Sequence, residues 1–597
     1  MTAAPLRLAI VAHRDPRGEV GERVDLLVEG LRTIVDRVVL VADGLHAVGR
    51  ERADALADRV VEAPARSAIA LLAAGLAAVD DEVRAAASVL VTDTERYGPV
   101  RGEFTLSEEV VRRAPASGAW TWVETAPRQA LEPSPWLWAD RETLAAETWR
   151  AWWRSSRDDT GSLGLHDLVL ALRDASIDVV PLVSHSDSRI QRLTLEEPWM
   201  PVPFLERLLF TADPLALEEH ALRSASAMHR LRREAYAMDL VARDLRRVTT
   251  PRQAMTNLQA LTILERVQHP PFQPLRIAVV THLYYSDAFV AMQLWLQDLP
   301  KDTTWIITTG SEESRARLEQ LVADNSFIPG PKAIEIRVVE SNRGRDVTAF
   351  LLTCADVLRP GPDGEYAHDL IVKLHSKRSP QDPYPRANRF SEHLMRSLMS
   401  RFDAVASLFI DEPELGMAMP PQIHVGYPTL GRAWFGNRPL AEQLASRLGI
   451  DVPFDEGSPL APFGSMFAAR PEALRPLVDA FGWQDFPDES GYKDGGTAHA
   501  VERLFAYAAI SEGYTVRTVT TPEIAAESHQ MLEWKLQEIL QDVPGTSRQQ
   551  VQLAKAATRA AAVSAGAVVR TAREAGRLGG RAVQGAKGAL GRLRRSR

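Results

Sequence analysis

The chain has 597 residues, 45% of them apolar and 25% charged, with a formal net charge of −8. That composition excludes a wholly disordered or fibrous chain, and the length exceeds what one core supports, so about two to four domains are expected. The acidic total argues against a nucleic-acid binder held by overall positive charge, but leaves room for a local basic patch.

The opening stretch MTAAPLRLAIVAHRDP lacks a signal-peptide pattern, because charge flanks a very short apolar run. The longest nearly uncharged apolar run, Ala68 to Val79, has 12 residues, against about 20 for a membrane span. The lone cysteine, Cys354, allows no intramolecular disulfide, and no Cys/His cluster has zinc spacing. A cytoplasmic chain that does not span a membrane is the expectation.

Leu6–Asp15, LRLAIVAHRD, is a short β-branched run ending at His13, and Leu275–Asp287, LRIAVVTHLYYSD, is another ending at His282. Each precedes an amphipathic stretch and a second strand, RVVLVADG or TWIITTG. RVVE then occurs at 59–62 and again at 337–340, and a third apolar strand follows, SVLVTDTERYGP or DLIVKLHSKRSP. Strands alternating with helical patterns imply a mainly parallel, Rossmann-like α/β sheet. The order β-α-β-β-α-β starts near residues 5 and 274, which points to a duplication. Residues 200–270, rich in Leu, Ala, Arg and Glu, read as helices between the copies. HPPFQP (269–274) is a rigid entry to the second copy.

The second copy carries polar residues that the first lacks. SNRGRDVTAFLL stands where the first copy has APARSAIALLAA, so Asn342, Arg343, Gly344, Arg345 and Asp346 fall opposite Pro64, Ala65, Arg66, Ser67 and Ala68. A strand, a Gly turn and a helix start with two arginines suit an anion, with Asp346 as a helix cap. A capped helix with exposed arginines would read the same. Lys373 and His375, two apart, share a face of the third strand's end, and Lys377, Arg378 and Ser379 follow. Ligands of open α/β sheets sit at the carboxyl ends of strands, so both basic clusters should meet in one crevice suited to a diphosphate. Farther on, DGGTAHAVERLF places Asp494 at a Gly turn and His499 and Glu502 on one helical face. Asp494 is the first candidate for a general base and Glu502 the second.

HLYYSD, ESNRGRDVTAFL, YAHDLIVKLHSKRS, ELGMAMPP, GSMFAAR and DGGTAHAVERLF, in that order, resemble the rhamnan synthesis protein F family over most of 275–520. VAHRDPRGEV, VLVADG and VTDTERYGP in the first 200 residues resemble it more loosely. The resemblance implies two GT-A-like domains joined by a helical linker. It implies an inverting glycosyltransferase of cell-surface polysaccharide biosynthesis, using a nucleoside-diphosphate sugar, dTDP-L-rhamnose first, and a glycan or lipid-linked glycan acceptor. On this reading His282, Tyr284, Asp287, Asn342, Arg343, Gly344, Arg345, Asp346, Lys373, Lys377, Ser379 and His499 bind the donor, and Asp494, Glu502 and His375 do the chemistry. The place of a metal-binding D-x-D reads His375-Ser376-Lys377, so no metal and no cofactor is expected. Alternatives are another donor sugar, or a non-catalytic glycan- or nucleotide-binding subunit of an assembly complex. Asp93-Thr94-Glu95 stands in that place in the first copy, which is read as degenerate. Trp120, Trp122, Trp136, Trp138, Trp149, Trp152 and Trp153 are read first as core.

The resulting division is a degenerate domain over 1–198, a helical linker over 199–272, a catalytic domain over 273–535 and a basic tail over 536–597. Residues 551–597 hold 11 Lys or Arg and one acid. Arg559, Arg570, Arg581 and Arg592 recur every 11 residues, which keeps them on one helix face. Such a helix fits an anionic membrane surface rather than nucleic acid, since no aromatics interleave.

Overall fold

The computed structural model describes all residues except 1–5, 101–104, 124, 126–133, 184–201, 223, 266–274, 377–383, 423, 425–429, 489–494 and 561–597. The chain forms two compact units, Met1–His529 and Gln530–Arg597. The first holds two mainly parallel sheets with helices on their faces.

The first sheet and its flank use β1 (Arg7–His13), β2 (Arg37–Ala42), β3 (Arg59–Glu62), β4 (Ser88–Asp93), β5 (Arg96–Tyr97), β6 (Ala119–Val123), β7 (Trp136–Asp140), β8 (Val179–Val183) and β9 (Leu205–Glu206). The second uses β10 (Leu261–Ile263), β11 (Ile277–His282), β12 (Thr304–Thr309), β13 (Ala333–Val338), β14 (Leu370–His375), β15 (Leu415–Met419), β16 (Phe467–Ala469) and β17 (Thr515–Thr520). The inner strands β1, β2, β4, β11 and β14 are mostly Val, Ile, Leu and Ala buried on both faces, as those of a helix-covered sheet must be.

The spatial orders are β3-β2-β1-β4-β7-β6-β8 and β13-β12-β11-β14-β16-β15-β17, with β10 added beside β17. Corresponding neighbours also agree in direction. β4–β7 and β14–β16 are antiparallel, as are β6–β7 and β15–β16. β6–β8 and β15–β17 are parallel, like the first four strands of each sheet. The duplication read from a few sequence matches therefore extends through seven strands.

Between the sheets run helices Leu208–Thr211, Pro214–Glu219, Ser224–Arg233, Met238–Val248 and Pro251–Asn257, as the composition predicts. The end of this stretch is not linker, however. β10 pairs with β17, so the second sheet begins before residue 273. Apolar clusters lie on both faces of each sheet, and a further cluster joins Tyr97 to the linking helices through Phe210, Leu231 and Leu245. Trp120, Trp122, Trp136, Trp149 and Trp153 are buried, so they serve as core. Among the described residues no helix is long and apolar enough to cross a membrane.

Helix Pro522–Leu540 has no buried residue and exposes Met531, Trp534, Leu536 and Ile539. Of the basic tail, residues past 560 lie outside the described residues.

Candidate functional site

The carboxyl ends of β11 and β14 lie side by side, with His282 paired to His375 in register. His282 is buried and its Nδ1 lies 3.0 Å from Thr308 Oγ1 on β12. Burial pulls its imidazole down to about 4, against the opposing charge of Asp346 and with His375 and Lys373 adding. It is a neutral wedge between strands near pH 7.

Lys373 lies one strand turn back from His375 and is 1% exposed. Its Nζ donates to Asp346 Oδ2 at 2.6 Å and to Ser465 O and Oγ, both at 2.9 Å. The ammonium also sits 5.7 Å from the centre of the Phe350 ring. An ammonium has three N–H donors, and here all three have protein acceptors. This differs from the expectation that Lys373 offers its charge to a ligand: the nearest carboxylate is its own neighbour, in a place too buried to leave either charge unpaired. Burial alone would raise the Asp346 carboxyl. The charges of Lys373 and His375, with hydrogen bonds from Lys373 and Ser465, instead hold it far below the usual carboxylate range.

Asp346 lies in the first turn of helix Arg345–Thr348, as expected, but makes no side-chain cap. Its carboxylate is turned to the sheet, and the Thr348 hydroxyl donates to the carbonyls of Arg343 and Arg345. Gly344, at φ +73°, is required here: a Cβ would come within 2.7 Å of the Phe486 ring.

The shared face of Lys373 and His375 meets the Gly464–Ser465 turn. His375 Nε2 is 2.7 Å from Gly464 O, while Gly464 N–H donates to Glu502 Oε1 at 2.6 Å. Glu502 also pairs with Arg503 at 3.0 Å. Gly464 has φ +86°, and a Cβ there would lie 2.5 Å from Leu394 Cδ1. Ser465 follows at φ +50°. Four of the predicted residues, Lys373, His375, Asp346 and Glu502, thus converge on one strained turn. Ser465, the hub of that turn, lies in GSMFAAR but is not among the site residues that the sequence singles out. Its signal was a Gly-Ser step just after Pro462 and Phe463, where the chain has to reverse into β16.

On the solvent side, Arg343 is half-buried and pairs with Asp488 at 2.5 Å. Arg345 is exposed and Asn342 half-buried. Tyr284 and Tyr285, just past β11, are exposed and meet edge to face at 4.9 Å. Asp287 follows in a short turn over Ser286–Ala288. His499 and Glu502 lie on helix Thr497–Ser511. Lys377, Ser379 and Asp494 lie outside the described residues.

Residues 191–514 match the family described as rhamnan synthesis protein F. The chain belongs to the rhamnan synthesis protein F family. The matched stretch contains the second sheet up to β16 and every site residue named above, and it starts after the first sheet. The looser likeness expected for residues 1–200 thus lies almost wholly outside it. Two curated relatives from Xanthomonas campestris pv. campestris, strains B100 and ATCC 33913, both called uncharacterized protein WxcX, are 35% identical over 252 residues. The match covers 40% of this chain and 32% of theirs, so the chain spans about a third of the length of these relatives.

Solved structures similar to part of the chain include the mannosyltransferase PcManGT from Pyrobaculum calidifontis with GDP-Man and Mn²⁺ (12% identity, TM-score 0.23, 47% of this chain and 65% of that one). Another is glucosyl-3-phosphoglycerate synthase from Mycobacterium tuberculosis with Mn²⁺, UDP and glucosyl-3-phosphoglycerate (16%, 0.19, 46% and 86%). Scores this low bear on neither mechanism nor substrate.

The first repeat lacks these residues at the corresponding positions. Ala12 pairs with Asp93, and Thr281 with Leu374. With His13 and His282 equated, Thr92 stands at Lys373, Asp93 at Leu374 and Thr94 at His375. The sequence comparison that set Asp93 opposite His375 was one residue out of step. With the helix N-caps Ser67 and Gly344 equated, Ile69 stands at Asp346 and Arg66 at Arg343, one residue from the sequence comparison here too, so neither half of the ion pair is present.

Proposed function

We propose that the second repeat of this family member is an inverting glycosyltransferase that takes a nucleoside-diphosphate sugar, dTDP-L-rhamnose first, and passes the sugar to a glycan or lipid-linked glycan of the cell surface. The observation that carries the reading is the convergence of the family-region residues on the carboxyl end of the second sheet, where open α/β sheets take ligands, and their loss from the first repeat.

In this reading Arg343 and Arg345 face the diphosphate, joined by Lys377 and Ser379 from the stretch after β14. Lys373 and Asp346 act one layer below, fixing the Asn342–Asp346 turn against the Gly464–Ser465 turn. A fixed cation beside a departing diphosphate lowers the barrier because charge grows there in the transition state. Single preorganised contacts of this kind are worth about 2.7–4 kcal/mol. The acceptor hydroxyl loses its proton to a carboxylate as its oxygen bonds the anomeric carbon and the sugar–diphosphate bond breaks. Asp494 is the first choice for that base. Glu502 is less suited than the sequence suggested, because a backbone N–H and Arg503 already engage it. Asp287 is the remaining choice.

The donor set at the end of β14 suits an anion better than a metal. His375 and Ser376 stand there, Asp346 Oδ2 is taken by Lys373, and no metal-holding cluster of His, Cys, Asp and Glu occurs among the described residues. Metal independence is therefore part of the proposal, and chelator tests it. Partial sequestration at the inner face of the plasma membrane, through the basic tail, completes the proposal.

The test is incubation of the purified chain with a panel of nucleotide sugars, scoring binding, hydrolysis and transfer, with and without chelator. Turnover that survives the chelator supports the reading. Binding of no nucleotide sugar would favour a scaffold subunit, and abolition by chelator would overturn metal independence.

A further inference from the structure

The ligand end of the first sheet is not an empty crevice. β9 pairs with β5 just beyond β4, through Arg96 with Glu206 and Tyr97 with Leu205. Helix Met238–Val248 brings Asp244 to the same place. Asp244 accepts from Arg23 Nε at 3.1 Å, from Arg207 Nε at 2.7 Å and Nη2 at 3.0 Å, and from the Tyr97 hydroxyl at 2.7 Å. Arg207 Nη1 reaches Glu95 at 2.8 Å, and Arg23 donates to the Thr94 carbonyl. Three residues on, Arg247 pairs with Glu19 at 2.7 Å, beyond the end of β1. Arg23, Tyr97 and Arg207 are buried.

These partners follow β1 and β4 directly, where a ligand of the repeat would lie. The charges neutralise one another: the Asp244 carboxylate answers two guanidiniums, and Glu95 pairs with both, Arg207 at 2.8 Å and Arg23 at 3.7 Å. A buried carboxylate with this many donors exchanges them for a soluble anion only at the cost of several unpaired charges. Arg96, next in the chain, is closed in by Trp136 and Phe204, each ring centre 5.3 Å away.

We propose that the segment from Leu205 to Val248 is a built-in strap that permanently occupies the ligand end of the first sheet, leaving the chain one ligand-accepting repeat. The linker between the repeats is then also the reason that a duplicated fold has a single site. Arg207, Asp244 and Arg23 form the buckle, and Glu95 and Tyr97 are its anchor points on the sheet.

Amide hydrogen exchange on the full chain tests this without any ligand. Residues 205–211 and 238–248 should exchange as slowly as β1 and β4. Asp244→Asn should speed exchange at 94–97 and 205–211 by about tenfold or more, with 277–282 and 370–375 unchanged. Glu95→Gln, which leaves the central carboxylate in place, should do the same to a smaller degree and serves if the first variant folds poorly. Exchange at 205–211 as fast as in an unstructured peptide would overturn the strap. So would loosening in neither variant. With dTDP or UDP added, protection at 282–310 supports a single site, and protection at 13–20 or 93–97 overturns it.

Discussion

Replacing Lys373 with Met removes an ammonium that donates to Asp346 Oδ2, Ser465 O and Ser465 Oγ at 2.6–2.9 Å. The methionine fills the aliphatic volume against Phe350, so the loss is electrostatic rather than a cavity. Asp346, with only 16% of its side chain exposed, keeps the Ser465 hydroxyl and loses its cation. Breaking a buried pair by removing one partner typically costs about 3–5 kcal/mol, whereas replacing both partners with apolar groups is often neutral. Lys373→Met should therefore lower the free energy of unfolding by about 3–5 kcal/mol, and Lys373→Met with Asp346→Leu should restore most of it. Urea unfolding of the two variants and of Asp346→Leu alone gives the coupling energy by a double-mutant cycle. A cost below about 1 kcal/mol for Lys373→Met, typical of an exposed pair, would refute the reasoning. It would mean that the ammonium is free to face the crevice.

Two buried groups should give opposite pH slopes. The Asp93 carboxyl is pushed up to about 7, first by burial and against the charge of Arg96. Folding favours its protonated form, so its contribution is full below about 4 and is lost as pH rises through 7, at up to about 1.4 kcal/mol per unit. Asp93→Asn should thus gain on wild type in chemical unfolding at pH 8 and match it at pH 4. An equal difference at both would contradict this. His282, lowered to about 4, favours the neutral form, so its contribution is full above about 6.5 and is lost as pH falls through 4. His282→Asn should lose least against wild type at pH 4.5, measured the same way. Ser465→Ala leaves Asp346 one donor short and should cost about 1–3 kcal/mol in urea unfolding; no measurable change would remove Ser465 from the hub. Deleting 545–597 should abolish binding to anionic vesicles in a flotation assay, since each basic residue near the lipid is worth about 1 kcal/mol; unchanged binding would dismiss the tail.

The alternation of β-branched runs with helical stretches made the α/β class legible, and RLAIVAH against RIAVVTH announced the duplication. The reversed direction of β7 and β16 and the order of the strands around them were not legible, because they depend on chain crossings that no local pattern encodes. The strand β10 was hidden for a different reason: three residues ending a helical stretch carry little periodicity. Among site residues, Lys373 and His375 on one face followed from the two-residue period of a strand. Their direction did not. Sequence placed Lys373 at the end of a strand, but only packing shows that its ammonium points to Asp346 and Ser465. The strap is the clearest case. Arg23, Glu95, Arg207 and Asp244 are scattered over more than 200 positions and read singly as ordinary surface charges. Their meaning is a property of the fold alone.

The central claim is that the second repeat, and not the first, takes a nucleotide sugar at the carboxyl end of its sheet. Titration of dTDP-L-rhamnose and other nucleotide sugars into the intact chain by calorimetry, repeated with Arg343→Gln and with Arg66→Gln in the corresponding turn of the first repeat, just before its helix N-cap Ser67, tests it most directly. The expected result is one bound nucleotide sugar per chain, with affinity lowered about tenfold or more by Arg343→Gln and unchanged by Arg66→Gln. Two bound per chain, or loss of binding in Arg66→Gln with Arg343→Gln unaffected, would contradict it.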